Sequence, residues 1–240
     1  MMEIRKAAER GKAEHGWLSS RHTFSFANYR NAQQNGFSDL LVINDDRVAP
    51  GKGFGTHGHR DMEIFSYVLN GTLAHSDSMG NGAQIQPGDV QLMSAGSGVT
   101  HSEFNGSLEL PVHFLQIWIV PDRVGGKPVY QQRRFSEADK RGQLRLVISP
   151  DGREGSLRIQ QDASVYAGLF DGAESATLAL DGERHAYVHV ARGSVELNGI
   201  RLDAGDGVRL RNAPSLTLTK GEAAEVLVFD LRAHELPQMP

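Results

Sequence analysis

The sequence predicts an all-β protein built as two β-barrel domains, and three observations carry that reading. Short apolar runs rich in Val, Ile, Leu, Phe and Tyr recur almost throughout, with Gly, Asp, Asn and Pro between them. Glycine makes up 27 of the 240 residues, which favours many turns over long helices. A weak internal repeat links the two halves: YVLNGTL then QPGDVQLM in the first, HVARGSV then DAGDGVRL in the second. Aligning Gly71 with Gly193 and Gly88 with Gly205 overlays the copies, and a repeat of this length suggests a duplicated barrel rather than a solenoid.

In chain order, the clearest strands are expected at Ser38–Asn44, Ile64–Leu69, His113–Val120, Arg145–Ile148, Ala186–Val190 and Glu225–Leu231. Helix is scarce; a short piece over Ser136–Lys140 opens with a serine cap. The polar, Gly- and Pro-containing stretch Pro121–Gln143 reads as the link between domains, placing one domain at 1–135 and the other at 136–240.

Composition removes several function classes. A net charge of −4 gives no electrostatic footprint for nucleic acid or an anionic membrane. No apolar stretch reaches membrane-spanning length, and the N-terminal MMEIRKAAERGKAEHGW has no apolar signal core, so a cytoplasmic protein is expected. There is no cysteine, so any metal site must use imidazole and carboxylate.

Two glycine-bracketed motifs supply such groups. Gly51, His57, His59 and Glu63 form the first; Gly96, Gly98, His101, Glu103 and Asn105 form the second. On a strand, residues two apart share a face roughly 6.6 Å apart, so each pair can aim at one ion. Antiparallel pairing inside a barrel would bring His57, His59, His101 and Glu103 together. Three imidazoles and one carboxylate suit one divalent transition ion: Fe(II) foremost, with Mn, Ni, Co or Cu also compatible. Four protein donors leave an octahedral ion open positions for chemistry.

The repeat acts as a control. The offsets that lead from Gly71 back to His57 and His59 lead from Gly193 to Ala179 and Asp181. The offset from Gly88 to His101 leads from Gly205 to Leu218. The second copy therefore has no ligands, and the histidines are not needed to make the barrel. Glu63 shares parity with His57 and His59, so it is the rival ligand or a neighbour of the ligands. Asp61 reads better as a turn or ion-pair residue. Of the other histidines, His15 and His22 lack partners by spacing and read as structural. His75 and His113 are expected near the barrel, His113 as a supporting residue, while His185 and His189 have no second motif to complete a site. Arg133 and Arg134 read as a solvated or inter-domain pair.

These stretches resemble the cupin superfamily and, within it, the pirin family. The likeness lies in GWLSSRHTFSFANY, FGTHGHRDMEIFSYVLNGTLAHSDSMGN and QPGDVQLMSAGSGVTHSEFN, with YQQRRF and SPDGREGSL resembling its shorter bacterial branch. It is dense in the N-terminal half and thin in the C-terminal half. The resemblance implies a bicupin, two double-stranded β-helix barrels, with metal in the first only and His57, His59, His101 and Glu103 as its ligands. Gly58 stands where the family often has proline. The resemblance further implies quercetin 2,3-dioxygenase activity on a small aromatic substrate with O2. Glu103 would act as the catalytic base for the flavonol hydroxyl, and ring opening would release CO. Phe54, Phe65, Met93 and Phe104 are pocket candidates for a flat ring, Phe104 the weakest because its parity opposes that of His101 and Glu103. The family's eukaryotic members suggest a different role, a metal-dependent regulator with a protein partner. Other cupin chemistry, such as sugar-phosphate isomerisation, has thin support in Lys52 and Arg60.

Overall fold

The computed structural model describes residues 1–235. The chain opens with strands β1 (Met2–Arg5), β2 (Gly11–Glu14), β3 (Leu18–His22) and β4 (Leu40–Val48). It continues with β5 (Gly53–His59), β6 (Glu63–Asn70), β7 (Leu73–Asp77) and β8 (Gly82–Ile85). β9 (Asp89–Ser94), β10 (Val99–Asn105), β11 (Val112–Ile119) and β12 (Val129–Arg134) follow. After helix α1 (Glu137–Lys140) come β13 (Arg145–Ser149), β14 (Leu157–Arg158), β15 (Ala163–Phe170) and β16 (Ala176–Ala179). The last four are β17 (His185–Leu197), β18 (Ile200–Asp203), β19 (Gly207–Arg211) and β20 (Ser215–Leu231).

The first domain pairs a seven-stranded sheet, β12-β9-β6-β11-β4-β3-β2, with a four-stranded sheet, β5-β10-β7-β8. The second is a nine-stranded sheet containing β13 to β20 and, at one edge, β1. That first strand crosses between halves of the molecule: Met2 pairs with Leu210 and Arg5 with Gly207. The architecture is thus all-β, two cupin-type units. No helix among the described residues is long and apolar enough to cross a membrane.

Both faces of the seven-stranded sheet are buried, and this governs where every candidate residue points. On β6 and β11, Ile64, Val68, Phe114 and Trp118 pack in apolar clusters inside the first barrel. The alternate residues, Phe65, Tyr67, Leu69, Leu115, Ile117 and Ile119, join Val165, Ala167, Leu227 and Phe229 in a cluster shared by the two domains. A sheet covered on both sides needs nearly continuous apolar strands, so IFSYVL and HFLQIWIV stand out in the sequence.

Apolar side chains pack the second barrel's interior, among them Val188, Val190, Leu216, Leu218 and Val226. The four aligned glycines all lie in the left-handed region: φ is 78° at Gly71, 63° at Gly193, 95° at Gly88 and 87° at Gly205. A Cβ at Gly71 would come 2.8 Å from the Pro111 carbonyl oxygen and one at Gly193 2.3 Å from that of Glu222, so these turns admit only glycine. One expectation needs correction. The stretch Pro121–Gln143 is not wholly a link, because β12 lies within it and pairs along β9 from Val129–Ser94 to Arg134–Asp89. As a sheet edge with one neighbour, it is mostly half-exposed and polar, so it lacks an apolar signature.

His189 lies on β17 between the domains, fully buried, and neither ring nitrogen has a hydrogen-bond partner in the protein. Burial, helped by the Arg10 charge, lowers its pKa to about 3. A folded-state pKa below the unfolded value of about 6.5 means the unfolded chain takes up the proton first. Stability is therefore held above that value and lost as pH falls toward 3. His189→Leu should gain about 3 kcal/mol at pH 4 relative to its effect at pH 7, read by chemical denaturation at both pH values. Equal effects at the two pH values would refute the account.

Candidate metal centre

The two histidine motifs meet because β5 and β10 are adjacent and antiparallel. His57 lies directly opposite His101, and His59 opposite Val99. Between His101–His57 and Glu103–Phe54 the pairing advances two residues on β10 but three on β5, a bulge near Gly55 and Thr56. The bulge matters chemically: the Gly55 carbonyl accepts a hydrogen bond from His57 Nδ1 at 2.8 Å, which keeps the proton on that nitrogen. That leaves Nε2 as the lone-pair nitrogen, aimed inward.

Ring nitrogens of His57, His59 and His101 all lie within 4.8 Å of one another. His57 Nε2 and His101 Nε2 are 3.0 Å apart. Two donors each about 2.1 Å from a shared ion and at right angles would be separated by about 3.0 Å. His59 Nε2 is buried with no partner in the protein. Burial lowers the His59 pKa to about 4 and that of His101 to about 3, with the neighbouring imidazoles adding to both shifts. Both are neutral near pH 7, the form that ligates a metal. An orphaned imidazole nitrogen beside two others with touching lone pairs fits a divalent transition ion.

Glu103 is 2 % exposed and sits one step deeper. Its carboxylate shares a 4.8 Å grouping with His101 and His75 rather than with His57 and His59. Gln116 Nε2 donates to one oxygen at 2.7 Å and Ser66 Oγ to the other at 3.2 Å. Burial pushes the carboxyl up to about 7 against those hydrogen bonds. A cation beside it would reverse that direction.

The other candidates divide by strand face. Phe54 lines a cavity of about 90 Å³ together with His57, Glu103, Gln116 and Trp118. Met93 packs with Ile64 and Val99 in an apolar cluster of the same barrel. Phe65 points the other way, with its ring centroid 6.3 Å from that of Phe229 in the second domain. Phe104 is 40 % exposed, as its opposed parity requires. Glu63 also faces away: its carboxylate accepts from Ser94 Oγ at 2.8 Å and from the Gln160 amide at 3.2 Å. Asp61, at φ 50°, turns the chain between β5 and β6, so strand parity does not carry across from His59. His113 sits on the inter-domain face, bonded to Asp45 at 2.7 Å. The parity that buries Gln116 facing Glu103 turns His113 away.

Ser66 and Gln116 are ordinary polar residues within apolar runs, and period-2 alternation is the only sequence signal that points to them. His22, which spacing alone leaves without a partner, lines the cavity. His75 approaches His101 at 5.3 Å between ring centroids, with Tyr130 5.0 Å from it on the far side, and Trp118 backs His59 at 5.1 Å. A larger inter-domain cleft of about 280 Å³, with Arg134, Lys140, Arg141 and Arg192 in its wall, has no comparable donor set.

The Pirin family model matches residues 3–119, and the model for the quercetinase C-terminal cupin domain matches 146–231. A quercetin 2,3-dioxygenase of Escherichia coli strain K12 is 46% identical over 231 residues, 96% of this chain and 99% of that protein. A pirin-like protein of Caulobacter vibrioides is 40% identical, over 92% of this chain and 95% of its own length. The crystal structure of bacterial pirin YhhW from Escherichia coli in complex with nickel(II) superimposes with a TM-score of 0.92 at 46% identity, covering 97% of this chain and 99% of that one. With such identity along nearly its whole length, the chain belongs to the pirin family.

Proposed function

We propose that this protein is a metal-dependent dioxygenase that cleaves flavonols such as quercetin with O2. His57, His59 and His101 hold the ion, and Glu103 completes the set. The observation that carries the reading is the convergence of three imidazoles within 4.8 Å, one of which, His57, lines a cavity together with the buried carboxylate of Glu103. Relatives bearing the quercetin 2,3-dioxygenase name along their full length support the activity. The nickel(II) complex of YhhW supports a divalent metal, and the imidazole and carboxylate donors suit iron(II), our proposal for this chain, as they suit Mn, Ni, Co or Cu. We place the domain division at residue 135, with 1–135 holding the metal and 136–240 backing it, and with β1 exchanged onto the second domain.

When bound, the ion supplies Lewis acidity toward the flavonol hydroxyl and a centre at which O2 reacts. The protein supplies the rest. Glu103, whose carboxylate lines the cavity, takes the hydroxyl proton on a carboxylate oxygen. Ser66 and Gln116 grip both carboxylate oxygens, so the base stays aimed at the cavity. Gly55 holds the tautomer of His57. Phe54, Phe26 and Trp118 wall the cavity and shield a flat ring from water.

The test begins with elemental analysis of protein purified without chelator, followed by anaerobic quercetin titration and then admission of O2. One equivalent of metal, O2 uptake and stoichiometric CO are expected. Full metal occupancy with neither O2 uptake nor CO would defeat the enzymatic reading and leave the regulatory one.

A further inference from the structure

The first barrel's interior holds more polarity than a metal set requires. At one level across the seven-stranded sheet the paired residues read His22, Asn44, Gln116, Ser66 and Gln91, from β3 to β9. One step along, Ser20 faces Asp46. Apolar clusters lie on either side of this strip, one around Val48 and Phe114 and the other around Ile64 and Met93. Gln116 and Ser66 are engaged with Glu103.

The other side chains are not so engaged. Ser20 Oγ, His22 Nδ1, Asn44 Oδ1 and Asp46 Oδ1 are buried, and beyond the approach of the Ser20 hydroxyl to the Asp46 carboxyl across the strand pair they have no hydrogen-bond partner within the protein. Their residues are only 1%, 3%, 3% and 4% exposed. All four line the same cavity as His57 and Glu103. Leaving several buried acceptors unpaired is expensive, so a cluster of them beside a reactive centre points to a ligand that pairs them.

Their chemistry defines that ligand. Asp46 and Asn44 present acceptor oxygens, while no Lys or Arg lines the cavity, so an anionic group has no counter-charge on this wall. Burial and the nearby Arg21 charge keep the His22 imidazole neutral. The wall therefore favours uncharged hydroxyl donors. At about 90 Å³ the cavity is far smaller than the several hundred Å³ that enclose a whole drug-sized ligand, so one ring enters and the rest lies over the mouth.

We propose that Ser20, His22, Asn44 and Asp46 form a hydroxyl-recognition wall that binds the ring hydroxyls of the substrate and selects polyhydroxylated flavonols over unsubstituted ones. This rests on the flavonol reading above and adds its specificity determinants. A site built to pair hydroxyls rejects an analogue that lacks them far more strongly than an apolar pocket does.

The experiment is anaerobic equilibrium binding to the metal-loaded protein, read from flavonol absorbance, with quercetin and with 3-hydroxyflavone, which keeps the 3-hydroxyl but lacks the hydroxyls of the two outer rings. Quercetin should bind about 100-fold more tightly, and Asp46→Ala should shrink that ratio to about 10-fold or less. Asn44→Ala, which moves no charge, should shrink it in the same direction and serves if Asp46→Ala fails to fold. A wild-type ratio near one, or a ratio unchanged in both variants, overturns the wall while leaving the flavonol reading intact. Binding of neither compound overturns the flavonol reading and the wall with it.

Discussion

Replacing His101 with alanine should reduce bound metal from about one equivalent to a trace and lower quercetin turnover by about a thousandfold or more. His101 is the hub of the cluster: its ring centroid lies 4.5 Å from His57, 4.8 Å from His59 and 5.3 Å from His75. It also joins the histidine trio to Glu103, being common to both groupings of convergent donors. Without it, the remaining imidazoles lose the partner directly across the strand pair, and Glu103 loses its nearest link to the trio. Elemental analysis gives the first readout, and O2 uptake with CO release the second. Glu63→Ala is the matched control, since its carboxylate is committed to Ser94 and Gln160 on the opposite sheet face, and the metal should stay. A full equivalent of metal in His101→Ala would remove the basis for the proposed centre.

Much of this was legible in the sequence because strand parity and glycine turns are local properties. His57 and His59 share a face of β5, His101 and Glu103 share a face of β10, and the aligned glycines mark equivalent left-handed turns. Parity failed where the chain turned. The left-handed Asp61 resets the alternation between β5 and β6, so Glu63 and Phe65, which seemed in step with the histidines, face the second domain. The same limit hid the polar strip. His22, Asn44, Gln116 and Ser66 come from four strands, and only the sheet register places them at one level. No spacing rule within one strand contains that information. The edge strand β12 was missed for another reason: with one strand neighbour and a half-exposed surface, its residues need not be apolar.

The second domain has no comparable donor cluster among the described residues, yet its contribution should be measurable as stability through one buried ion pair. Lys140 of α1 is 3% exposed, and its Nζ donates to Tyr67 Oη at 2.9 Å and lies 3.5 Å from Glu225 of β20. The Tyr67 hydroxyl in turn donates to Glu225 at 2.6 Å, so residues from the linker, the first domain and the second meet at one carboxylate. Glu225→Leu would strand a buried ammonium beside a hydroxyl, at a cost of about 3–5 kcal/mol. At about 2–4 °C per kcal/mol for a chain of this size, the melting temperature should fall by about 10 °C. Arg192, 3.7 Å from Glu225 and 42% exposed at its side chain, can turn to solvent and adds little to that penalty. Adding Lys140→Met should recover most of the loss, because the penalty belongs to the unpaired charge rather than to missing attraction. A loss of no more than about 1 kcal/mol in Glu225→Leu, as for an exposed pair, would show that the ammonium escapes to water. Tyr67 follows Ser66 on β6 and points to the opposite face, so the link touches the Glu103 network only through backbone. Metal content measured well below the melting temperature should therefore stay at the wild-type level even as stability falls.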